Sequence, residues 1–112
     1  MAAPAHVHSD FDWPADVLAF AAKHQIYSCL DPVLEASKRL FYAPHKIRVF
    51  LENDPEERCE KYLVFEVHTA MKAAEAARSE EIWCRELLRI CPPSKISLFT
   101  LGLQLGKATN EA

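Results

Sequence analysis

The clearest pattern in the chain is a pair of alternating segments. Residues 46–52, Lys-Ile-Arg-Val-Phe-Leu-Glu, alternate apolar and polar with a period of two, and residues 61–68, Lys-Tyr-Leu-Val-Phe-Glu-Val-His, do so again. A period of two places alternate side chains on opposite faces of a strand. Between the two segments lies polar Asn53-Asp54-Pro55-Glu56-Glu57-Arg58-Cys59-Glu60, with Asp-Pro as the turn initiator. The pattern predicts an antiparallel hairpin with a long loop. Ile47, Val49, Leu51, Leu63, Phe65 and Val67 would share one face. Arg48, Phe50, Glu52, Tyr62, Val64, Glu66 and His68 would share the other.

Helical spacing governs the flanks. Asp12 as cap and Pro14 in the first turn predict a helix whose stripe is Val17, Phe20, Ala21 and His24. Asp31-Pro32 repeats that signal and predicts a second helix, with Leu30, Val33, Leu34, Leu40 and Phe41 on its apolar side and Pro44 as its stop. Thr69 is the expected cap of a third helix reaching Cys91. Its stripe is Met71, Ala74, Ile82, Trp83, Leu87, Ile90 and Cys91, Glu81 and Arg85 are spaced to pair, and Pro92-Pro93 ends it. Residues 95–105 read as a third strand, presenting either Ile96 and Leu98 or Phe99, Leu101, Leu103 and Leu105 to a given face. The expected fold is α+β in the order α-α-β-β-α-β, a small antiparallel sheet with helices packed on one face. Residues 1–12 are expected to form a flexible arm, 13–106 a single domain and 107–112 a polar tail.

Composition narrows the functional classes. The 112 residues suit one domain, and half of them are hydrophobic, which suits a packed core. Thirteen basic against sixteen acidic residues, mixed along the chain, give no electrostatic case for nucleic acid or an anionic membrane. No apolar run approaches the ~18 residues of a membrane span, and no secretory leader is expected. Cys29, Cys59, Cys84 and Cys91 include no C-x-x-C pair. They read as reduced thiols in a cytoplasmic protein, with Cys84 and Cys91, seven apart, on one helical face.

From the second helix to the third strand the chain resembles a group of small bacterial α+β proteins. The residues that carry the resemblance are Asp54-Pro55-Glu56, Glu60, Tyr62-Leu63 and Val64 to Val67; Glu57-Arg58-Cys59 departs from the more acidic segment usual there. The group has no activity to carry over. Its members look like genes of variable or mobile genomic regions, which implies an accessory role.

Candidate chemistry is sparse. His6-Val7-His8-Ser9-Asp10 resembles the opening motif of polymerase-and-histidinol-phosphatase phosphoesterases, in which two imidazoles share a metal. That family's barrel is far longer than 112 residues, so no metal site is expected here. Asp54, Glu56, Glu57 and Glu60 lack the ligand spacing and central glycine of a calcium loop and read as a solvated turn. No cysteine has an activating environment in sequence, and no serine sits in a nucleophile elbow. No catalytic residue and no cofactor is assigned. The leading expectation is a non-enzymatic, self-associating accessory or interaction module, a homodimer through the sheet face bearing Phe50, Tyr62 and Val64. For that dimer the second face must stay uncovered; the opposing arrangement folds the first helix over it. The alternative function is a small-ligand binder or small enzyme with a pocket between sheet and helices, lined by Trp13, Trp83, Tyr27, Tyr42 and histidines.

Overall fold

A computed structural model describes residues 11–42, 45–53 and 61–105. Their element order is α1 (Ala15–Lys23), α2 (Tyr27–Leu40), β1 (His45–Asn53), β2 (Lys61–Thr69), α3 (Ala73–Ile90), a 3-10 helix (Pro93–Leu98) and β3 (Phe99–Leu105). The fold is α+β in the expected order. The expected arm positions 1–10, the stop at Pro44, the loop at 54–60 and the tail at 107–112 lie outside the described residues.

The hairpin forms as the alternation predicts. β1 and β2 pair antiparallel with Ile47 opposite Val67, Val49 opposite Phe65 and Leu51 opposite Leu63. Leu63, Phe65 and Val67 are fully buried, so this face is the core face. β3 departs from expectation in direction: it pairs with β2 in parallel, and the sheet is mixed, in the order β1-β2-β3. The reason is the connection. Eighteen residues of α3 run back along the sheet at ~1.5 Å per residue, returning the chain to the start of β2. The next strand must then run the same way, whereas an antiparallel neighbour follows a short turn.

β3 also starts later than residue 95. The apolar positions change parity between Leu98 and Phe99, and one regular strand cannot present both sets to the same face. The chain resolves this break by coiling. Pro93 begins the 3-10 helix, Lys95 N–H bonds Pro92 O at 2.9 Å, and Ile96 and Leu98 still pack against the core. Two consecutive prolines also remove two ladder donors, which disfavours a strand there.

Three helices lie on the core face. Trp13, just before α1, meets Phe65 at 6.3 Å between ring centroids, and Trp83 of α3 meets it at 6.4 Å. Phe11 packs edge-on against Trp13 at 4.7 Å, so the chain is engaged with the core by residue 11. Pro14, not Asp12, occupies the cap position of α1, with no side-chain cap bond. Val17, Phe20 and Ala21 are buried as expected, while His24 ends the helix and rests its ring on Phe20 at 4.3 Å.

The α1–α2 joint explains why α2 begins four residues before the predicted Asp31. Ile26 N–H bonds Ala21 O at 2.8 Å and Gln25 N–H bonds Ala22 O at 3.2 Å. Gln25 takes the left-handed conformation, φ 61. This is a Schellman closure with glutamine where glycine is usual. It turns Ile26 into the core, where it is fully buried, and α2 starts immediately after. Pro32 therefore falls at the sixth helical residue, where it cannot donate to Ser28 O. Ser28 is exposed, so water can satisfy that carbonyl, and the cost is tolerated.

α3 begins after Lys72 rather than at Thr69. Thr69 closes β2, and its Oγ1 accepts a bond from Met71 N–H at 3.3 Å. The buried stripe is Ala76, Trp83 and Leu87; Ala74 and Ile82 face outward. Glu81 and Arg85 pair at 4.0 Å. α2 and α3 are joined by a buried polar relay: Trp83 Nε1–H donates to Ser37 Oγ at 2.9 Å, and Ser37 Oγ–H donates to Val33 O at 2.9 Å. Ser37 is fully buried, and both partners are satisfied.

Two stability measurements follow from this geometry. Gln25→Gly removes the left-handed penalty and should raise unfolding free energy by about 1 kcal/mol in urea titration; a loss would mean that the glutamine side chain has a role of its own. Ser37→Ala strands the Trp83 N–H in a dry core. It should cost about 2 kcal/mol, lowering Tm by roughly 10 °C.

Candidate interaction surface

The face of the sheet opposite the helices is built in rows by the strand register. Phe50, Val64 and Thr100 form one row across the three strands, and Arg48, Glu66 and Gly102 form the next. Phe50, Tyr62, Val64 and Gly102 are only partly buried. Trp13 and α1 lie on the core side, so the first helix does not fold over this face. The third strand brings it no leucine. Phe99, Leu101 and Leu103 lie on the core side beside Leu63, Phe65 and Val67, and the outer positions of β3 are Thr100, Gly102 and Gln104. The apolar content of the outer face is therefore narrower than the sequence allowed, centred on Phe50 and Val64.

A charged network borders that centre. Arg48 donates to Glu66 Oε1 at 2.7 Å and lies over the Phe50 ring at 4.8 Å. His68 Nε2 contacts the same carboxylate oxygen at 3.1 Å. The hydrogen bond from His68, followed by those of Arg48, holds the Glu66 carboxyl below the usual glutamate range, against an opposing push from desolvation. Arg48 is thus committed to Glu66. On the same face Lys46, opposite His68, is exposed.

Gly102 went unnoticed in the sequence. It sits in the middle of β3, and its φ is not positive. A Cβ built on it would meet Val64 Cγ1 at 3.7 Å, an ordinary contact. Neither backbone conformation nor internal packing requires glycine here, although glycine weakens a strand. The only sequence signal was its place inside an alternating run.

The aromatic residues do not gather round a cavity. Trp13 and Trp83 are core residues packed on Phe65, and Tyr27 and Tyr42 are exposed. Tyr42 Oη–H donates to Glu75 Oε2 at 2.9 Å, and this bond to a carboxylate raises the phenol above its usual range. A groove of about 480 Å³ runs between α3 and β3, with Trp83, Cys84, Leu87, Leu88 and Ile96 in its lining. A second, of about 390 Å³, lies beside α1 and includes Asp16, Lys23, His24 and Lys61. The thiol groove contains neither a histidine nor a cation to activate Cys84.

The remaining candidates separate cleanly. His6, His8, Asp54, Glu56, Glu57, Cys59 and Glu60 lie outside the described residues. Among the described residues, no group of three or more His, Cys, Asp or Glu is placed to hold a metal, and no helix is long and apolar enough to cross a membrane. Cys84 and Cys91 do not share a face. Cys84 is exposed, whereas Cys91 ends α3 in an extended conformation and turns inward. Trp13 Nε1 and His45 Nδ1 are buried without a hydrogen-bond partner among the described residues. Comparison of the chain with protein-family models, with curated proteins and with solved structures gives no match.

The Glu66 network has a pH signature. A carboxyl held below its usual range adds stability above that range and loses it as pH falls through the lowered folded value. In urea titrations, Glu66→Gln should be less stable than the unmodified protein at pH 7, and the gap should close towards pH 3. A gap of equal size at both values would show that the carboxylate charge contributes nothing.

Proposed function

We propose that this chain is a self-associating interaction module, a homodimer whose contact is the outer sheet face at Phe50, Tyr62, Val64 and Gly102. The observation that carries the reading is Gly102. A mid-strand glycine that the fold does not require marks a place where another surface approaches closely. It leaves a shallow notch beside Val64, one row over from Phe50 and Val64 and in line with Glu66 and Arg48. A two-fold axis near this notch would bring the same apolar centre from each copy together. Arg48 and Glu66, in the same row as Gly102, would stay paired within each copy, so that neither enters the contact as a lone charge. An accessory role, acting by binding rather than by chemistry, fits a face with neither a nucleophile–base pair nor a metal-ligand cluster among the described residues.

Light scattering coupled to size exclusion at micromolar concentration should give the mass of a dimer. Gly102→Ala separates folding from association. It should hold or raise monomer stability by about 0.5–1 kcal/mol, while the added methyl weakens dimerisation roughly tenfold or more. Val64→Lys should keep its circular dichroism and elute as a monomer, because an unpaired charge in a dry contact costs several kcal/mol. A monomeric unmodified protein, or a Gly102→Ala variant that dimerises as tightly as its parent, would remove this interface.

A further inference from the structure

The helical side of the sheet holds a second feature, independent of the outer face. Cys29 lies in the first turn of α2 and Cys91 ends α3, 62 residues later in the chain. Both are 3% exposed. Cys29 Sγ lies 3.8 Å from Ile90 O, against the backbone of Cys91's immediate neighbour. That contact places the Cys29 sulfur beside the last turn of α3, at the residue that precedes Cys91. Cys84, by contrast, is exposed on α3.

We propose that Cys29 and Cys91 form a redox pair that closes as a disulfide by exchange with a small-molecule disulfide such as oxidised glutathione, tying the start of α2 to the end of α3. One protein thiolate attacks a sulfur of the oxidant, forms a mixed disulfide and displaces one thiolate. The second cysteine then attacks the protein sulfur of that mixed disulfide and displaces the other. The protein gives up two electrons and two protons, and the oxidant leaves as two thiols.

Access is controlled by the fold. Burial, then the Cys29 contact, pushes the Cys91 thiol up to about 12, so it stays protonated while the core is closed. Cys29 is the group that can be released. Its turn of α2 lacks the bond that Pro32 cannot donate to Ser28, and its own N–H is held by a three-residue bond to Ile26 O at 2.9 Å. Opening that one turn exposes Cys29 while β1, β2 and β3 stay paired. While the turn is open, Cys91 is relieved of part of the burial that keeps it protonated and attacks the mixed disulfide as a thiolate; reclosure then packs the finished bridge. The extended backbone at Cys91, φ −109 and ψ 150, leaves its side chain outside the regular helix and free of α3's own ladder geometry.

The test uses the full chain carrying Cys59→Ser and Cys84→Ser, so that only the pair remains. Incubation with oxidised glutathione without denaturant, alkylation and peptide mass mapping should show a Cys29–Cys91 cross-link and a net loss of about 2 Da, with no glutathione retained. Closing so long a loop should raise Tm by roughly 10 °C, reversed by reductant. With Cys29→Ser added, Cys91 should stay unmodified and Tm should not respond to the oxidant. The same mapping on the unmodified chain guards against a background variant that folds poorly; there too the Cys29–Cys91 peptide must appear. Two reduced thiols after prolonged incubation, a glutathione adduct that never resolves, or a cross-link that lowers Tm would each overturn the pair.

Discussion

Phe65 is where the separate parts of this chain meet. Its ring is fully buried, with Trp13 at 6.3 Å, Trp83 at 6.4 Å and Phe99 at 6.2 Å. Those three rings come from the segment before α1, from α3 and from β3. Cross-strand, Phe65 faces Val49 of β1. Edge-on and offset contacts between aromatic rings add to the area that they bury, so one side chain holds both ends of the domain to the central strand. Rings this large fill the space between a three-stranded sheet and its helices without a further layer. The consequence reaches the outer face. With every described helix drawn to the Phe65 side, nothing within the described residues is left to cover Phe50 and Val64.

The sequence was most legible where a single period ran without interruption. The β1–β2 hairpin carries clean alternation, and its ends and pairing follow from it. Legibility failed where two local rules competed. Asp31-Pro32 is a sound helix-start signal, but the closure at Gln25 and the burial of Ile26 set the start of α2 earlier, at the expense of one hydrogen bond. The parity break between Leu98 and Phe99 was visible as two incompatible faces for the third strand. Its resolution by a 3-10 helix depended on the consecutive prolines. The parallel direction of β3 is a property of the returning α3 helix rather than of any residue within the strand.

The candidate surface was legible only in part, for a related reason. Phe50, Tyr62 and Val64 could be assigned to one face from alternation alone, and they lie there. What β3 contributes depends on a register that alternation cannot supply. The leucines that would have made a broad apolar face belong to the core, and a threonine, a glycine and a glutamine stand in their place. Cys29 and Cys91 were harder still. They are 62 positions apart, on two helices whose mutual packing rests on Trp83 and Ser37, and no local pattern joins them.

The two sides of the sheet therefore call for different arguments. On the core side several unusual residues have an internal reason: Ser37 accepts from Trp83, Thr69 from Met71 N–H, and Gln25 closes α1, whereas Trp13 Nε1 and His45 Nδ1 are buried without a partner among the described residues. On the outer side the central charges are paired, while Lys46 and Glu52 stay exposed. Arg48, Glu66 and His68 form a closed set that also pins the Phe50 ring under the guanidinium. Gly102 is the residue that fits neither account. Alanine would be stronger in a strand and would meet only an ordinary contact with Val64. The packing of the described residues supplies no reason for a glycine in the middle of β3; the proposed dimer would supply one. The outer face is where that reason can act.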